Sequence, residues 1–122
     1  MKYKFLTLVL AIFLTGQYTL AQLSVAKKYD NFIGPDIEIS VTDKPGNLHG
    51  IKNCNTDEVV RGCTYITKSG KFIDPEIKNE PDLAIFESTM IHEATHIIFK
   101  SKDEKRVSTI TKLIIDWINN LK

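Results

Sequence analysis

The chain has almost no charge to spare. Its 16 Lys and Arg stand against 15 Asp and Glu, a formal net charge of +1 at pH 7. So even a balance gives no electrostatic reason to expect nucleic acid or anionic lipid as a partner. Cysteine is scarce: Cys54 and Cys63 are the only two. Their wide separation does not match the C-x₂₋₄-C spacing of a zinc knuckle. Histidine is limited to His49, His92 and His96, so an imidazole site must draw on these three. Internal repeats, low-complexity tracts and linkers are absent, and 122 residues suffice for one domain with one core. A long apolar run is missing as well, which argues against a transmembrane helix.

Residues 1–21 differ from the rest. Lys2 and Lys4 form a positive start, Phe5 to Leu14 is apolar apart from Thr7, and Thr19-Leu20-Ala21 offers a small-residue cleavage site. This is the pattern of a secretory signal peptide. The alternative, an N-terminal membrane anchor, suffers from the shortness of the run. No Cys follows the run, so lipid anchoring is not indicated. Cleavage near Ala21 leaves residues 22–122 as a single domain and shifts the formal charge to −1, because two lysines and no acids are lost. The expected location is secreted or periplasmic, with no stable membrane association. In an oxidising compartment Cys54 and Cys63 are expected to form a disulfide. Closing that ten-residue loop contributes roughly 2.5–3 kcal/mol in the chain-entropy picture.

Gln22 to Asn31 suits a short amphipathic helix ended by Gly34-Pro35. Asp36 to Thr42 alternates, predicting a strand with Ile37, Ile39 and Val41 towards a core. Cys63 to Thr67 predicts a second strand, Lys68 to Lys71 a turn, and Phe72-Ile73 a third strand ending by Pro75. Pro81-Asp82 opens a helix to about Phe99, with Leu83, Phe86, Met90, Ala94, Ile97 and Ile98 on one stripe. Ser101 to Glu104 has the form of a capping box. The last helix places Val107, Ile110, Leu113, Ile114, Trp117, Ile118 and Leu121 on an apolar stripe facing the core. The expected fold class is α+β: a small antiparallel or mixed sheet on an H-E-x-x-H helix, followed by an antiparallel C-terminal amphipathic helix.

The chemistry concentrates in His92-Glu93-Ala94-Thr95-His96, an H-E-x-x-H motif. On a helix, residues i and i+4 project from nearly the same side, so His92 and His96 aim at one point and suit two ligands of a tetrahedral Zn²⁺. Both lie nearly opposite the apolar stripe, which is not where core-filling histidines belong. Glu93 is displaced by about 100°, too far round to ligate naturally. It can still reach a zinc-bound water and act as general base when that water attacks a carbonyl.

A catalytic zinc usually has three protein ligands. If the two helices form an antiparallel hairpin turning near Ser101, Glu104 lies closest to the level of His96. Asp116 would then stand some 22 Å further along the axis, at 1.5 Å per residue. Glu104 is equally readable as the capping-box acid, and Asp103, Asp116 and His49 remain alternatives.

These residues together resemble the zincin metallopeptidases. Gly62-Cys63-Thr64-Tyr65 and Gly70-Lys71-Phe72-Ile73 are similar to the edge and inner strands ahead of zincin active helices, and Thr89-Met90-Ile91 to their apolar lead-in. Asp103-Glu104-x-x-Val107 looks like the acidic third-ligand helix of small gluzincin-like proteins. Phe99 and Lys102 depart from the metzincin pattern, while the thermolysin arrangement would put its glutamate near Asp116. The resemblance covers roughly Gly62 to Leu121. It implies a secreted zinc-dependent peptidase acting on a peptide or protein substrate, with His92, His96 and Glu104 on the metal and Glu93 catalytic. It also implies a substrate-facing edge at Thr64, Tyr65 and Ile66, although β-propensity favours Tyr65 as a half-buried strand aromatic. His49 is the candidate oxyanion stabiliser by residue type. The alternative is a non-catalytic zincin-like zinc-binding module acting by protein–protein interaction. A third reading is a metal-free adhesin or inhibitor.

Overall fold

The computed structural model describes residues 19–46 and 60–121. Most of the expected leader, together with His49 and Cys54, lies outside them; the disulfide to Cys63 therefore remains an expectation. The elements run α1 (Leu20–Lys27), α2 (Asp30–Ile33), β1 (Ser40–Thr42), β2 (Gly62–Cys63), β3 (Glu76–Lys78), α3 (Leu83–Ile98) and α4 (Glu104–Asn119). The fold is mixed α+β. Among the described residues no helix is long and apolar enough to cross a membrane.

The strands form one sheet in the order β1-β3-β2. β1 runs parallel to β3, with Val41 opposite Ile77, while β2 runs antiparallel, with Cys63 opposite Glu76. The expected hairpin is present but shifted. Ile66 bridges Phe72, and Gly70 sits at positive φ, which a three-residue hairpin loop closing with Gly requires. The strand proper, however, follows Pro75 rather than ending there. Its buried Glu76 accepts a bond from the Gly46 backbone N–H at 3.0 Å, which provides for an interior carboxylate.

The core collects Leu23, Ala26 and Tyr29 from the first helical segment, Ile37, Ile39 and Val41 from β1 and its approach, and Phe86, Met90, Ile91 and Ala94 from α3. The alternation expected for β1 is borne out: all three apolar residues are buried. The first helix begins earlier than expected, capped by a reciprocal Thr19–Gln22 box. The buried Gln22 amide also donates to Asn79 Oδ1 at 2.9 Å and to the Glu80 carbonyl at 3.1 Å, fastening α1 to the approach to α3. Tyr29 donates to Glu87 Oε2 at 2.7 Å and accepts from Asn119 Nδ2 at 3.2 Å, tying α3 and α4 to the same segment. Burial, followed by the Glu87 carboxylate, holds its phenol well above the ordinary value.

The helix pair agrees with the expected hairpin, but the packed face of α4 does not. Val107 and Thr111 are buried, with Ile114, Ile115 and Ile118 packed partly behind them. Leu113, Trp117 and Leu121 are instead more than half exposed. At 100° per residue, the buried strip is rotated about 70° from the apolar stripe. Thr111 takes a core position because its hydroxyl donates to the Val107 carbonyl at 2.7 Å, leaving its methyl outward for packing.

Candidate metal centre

Asp82 caps α3, its carboxylate accepting from the backbone N–H groups of Ala84 and Ile85. The helix then runs unbroken through His92 and His96, whose ring centroids lie 4.9 Å apart with planes inclined at 77°. His92 is half-buried and His96 buried.

The end of α3 sets the second imidazole. Lys100 adopts the left-handed conformation at φ 49°. The Ser101 N–H then returns to the His96 carbonyl at 3.0 Å and the Lys100 N–H to that of Ile97 at 3.2 Å. This is a Schellman closure with lysine in the place glycine prefers. It brings the Ser101 carbonyl to 2.7 Å from His96 Nδ1. A carbonyl can only accept, so Nδ1 carries the proton and Nε2 keeps its lone pair for a metal.

Glu104 completes the group from the first turn of α4. Its Oε2 lies 2.8 Å from His92 Nε2 and its Oε1 2.9 Å from His96 Nε2. The N-cap of α4 is Asp103, which accepts from the Arg106 N–H at 3.1 Å. Ser101 only accepts from the Asp103 N–H, at 3.2 Å, so the expected Ser101–Glu104 capping box does not form. Nothing local competes for the Glu104 carboxylate.

One ligand atom from each of His92, His96 and Glu104 lies within 4.8 Å of the other two, a group that could hold a metal ion. Two imidazole nitrogens and one carboxylate are a borderline donor set suited to Zn²⁺. Tetrahedral bonds of about 2.0–2.1 Å need ligand atoms about 3.3 Å apart. The Glu104 side chain is 72% exposed, so it has room to adjust. Among the described residues neither Asp116 nor Asp103 belongs to this group.

Glu93 lies beneath β2. Gly62 approaches it so closely that a Cβ there would stand 2.7 Å from Glu93 Cγ and 2.9 Å from Thr89 Cγ2. Thr64 donates to the Glu93 backbone carbonyl at 3.3 Å, holding this stretch to the helix. Burial raises the Glu93 carboxyl above the usual carboxylate range, partly offset by His92, by the Thr64 hydroxyl and by His96.

Two hollows flank the group. One, of about 490 Å³, is bordered by Gly62, Thr89, His92, Glu93 and Thr111. The other, of about 520 Å³, is bordered by Thr64, Tyr65, Ile66, Phe72, His96 and Glu104. Thr64, Tyr65 and Ile66, singled out as a candidate substrate edge, thus line the second hollow. Sequence reasoning missed the contributions of Gly62 and the Ser101 carbonyl. A glycine at the head of a strand is a signal of close backbone approach, whereas nothing in the sequence announces the carbonyl.

The chain matches no protein-family model, no curated protein and no solved structure.

Proposed function

We propose that this protein is an exported zinc-dependent peptide hydrolase of zincin type, with α3 as its active-site helix. The observation that carries the reading is the convergence of Glu104 on both His92 and His96, with Glu93 beside them and bordering the same hollow as His92. His92 Nε2, His96 Nε2 and the Glu104 carboxylate would hold the ion. When bound, zinc lowers the pKa of a water at its open position and polarises a substrate carbonyl. Glu93 takes one proton from the attacking water and delivers it to the amine released when the C–N bond breaks. Ser101 keeps His96 in the tautomer that ligation needs. Gly62 leaves room for the Glu93 side chain beneath the strand.

The test is cleavage of an unstructured protein by the zinc-loaded chain. Cleavage should stop on chelation, return with added zinc, and fall by at least about 100-fold in Glu93→Gln. Activity that survives this substitution refutes the mechanism. The burial of Glu93 favours a second reading, a zinc-binding module that acts by protein–protein contact. That reading predicts stoichiometric zinc with no cleavage of any peptide.

A further inference from the structure

The chain as a whole balances its charges, but the hollows do not. In the 490 Å³ hollow Arg61 and Lys112 stand on different elements, one leading into β2 and the other on α4. Among the described residues the only carboxylate bordering it is Glu93, which the proposed chemistry already uses. Both cations are exposed, and among the described residues neither side chain has an ion-pair or hydrogen-bond partner. Thr89 and Ser108 add hydroxyls to the same hollow, whereas those of Ser88 and Thr111 are donated to the Ile85 and Val107 carbonyls. Two uncommitted cations and a set of hydroxyls beside a catalytic group are complementary to an oxyanion. Lys68 and Lys102 border the other hollow, where among the described residues the only carboxylate is that of Glu104, the proposed ligand.

We infer that the hollow between Arg61 and Lys112 binds a carboxylate of the peptide substrate, so that the protein selects peptides carrying negative charge on one side of the reacting bond. This deepens the hydrolase reading and rests on it. The carboxylate has two chemical sources, an Asp or Glu side chain or the free C-terminus of a short peptide. The first source describes an endopeptidase with acidic preference and the second an enzyme that trims C-terminal residues.

The experiment measures binding, not turnover, using zinc-loaded Glu93→Gln and three peptides of equal length labelled with dansyl, which is uncharged at pH 7. One is neutral with an amidated C-terminus, one is amidated with a single internal Glu, and one is neutral with a free C-terminus. Anisotropy titration at low salt should give a Kd at least about fivefold tighter for one or both carboxylate peptides than for the neutral one. The advantage should shrink as salt rises. Adding Arg61→Gln or Lys112→Gln should each erase about three- to tenfold of that preference and leave the neutral peptide unchanged. Arg61→Lys should retain most of it. Equal affinity for all three peptides, or a loss that strikes the neutral peptide equally, overturns the inference. Neutral-peptide binding that disappears in His92→Ala leaves the hydrolase reading standing even then, whereas no binding of any peptide overturns both.

Discussion

Gly62 and Glu93 are in such close apposition that the strand and the helix share one space: a single methyl on Gly62 would sit 2.7 Å from Glu93 Cγ. The residue that lets β2 lie on α3 is therefore also the residue that seats the proposed general base.

Gly62→Ala should push Glu93 aside. Overpacking of this kind costs about 1–3 kcal/mol of stability, readable by urea denaturation. Hydrolysis should fall more than tenfold while zinc affinity stays within a few-fold, because the atoms nearest the added methyl belong to Glu93 and Thr89 and not to a proposed ligand. Unchanged activity would show that the position of Glu93 is irrelevant to turnover.

Glu104 and its neighbour Asp103 separate ligation from capping. Glu104→Gln should weaken zinc binding by at least about tenfold with little change in the stability of the metal-free protein. Asp103→Ala should do the reverse, costing about 1 kcal/mol through the lost cap. Calorimetric zinc titration and thermal melts of both variants check the pair.

Lys100 carries backbone strain. A non-glycine residue in the left-handed region costs roughly 1–2 kcal/mol, of which glycine returns part as unfolded-chain entropy. Lys100→Gly should therefore stabilise the fold by about 0.5–1 kcal/mol, and zinc affinity should hold because the Ser101 carbonyl stays on His96. A lower melting temperature would contradict the Schellman assignment.

Asp30 sits at the start of α2 with one buried carboxylate oxygen that has no hydrogen-bond partner among the described residues. Burial raises its carboxyl above the usual value, partly offset by Lys27. The folded chain thus holds this proton more tightly than the unfolded one, so the ionised form costs stability at neutral pH and the cost fades as pH falls through the folded value. Asp30→Asn should be more stable than the parent at pH 7, with an advantage that shrinks towards pH 4. Denaturant midpoints at the two pH values decide it.

The pairing of His92 with His96 was legible in the sequence because helical geometry leaves residues four apart little choice of direction. Glu104 was half legible. The antiparallel hairpin put it at the right level, but Ser101, Asp103 and Glu104 are all residues that helix starts favour, and only coordinates show which of them caps. β3 was invisible because three residues after a proline are too few to display a period, and its buried Glu76 runs against the pattern a strand interior presents. The packed face of α4 was misjudged for a related reason. Thr111 counts as polar until its hydroxyl is seen to be satisfied within its own helix, and each such residue rotates the inferred buried face.

The metal content of the purified protein tests the central claim most directly. Elemental analysis after exhaustive dialysis against trace zinc should find one zinc per chain in the parent and in Glu93→Gln, and close to none in His92→Ala with its fold intact by circular dichroism. A parent chain without zinc, or a His92→Ala chain that retains it, would contradict the assignment of this site.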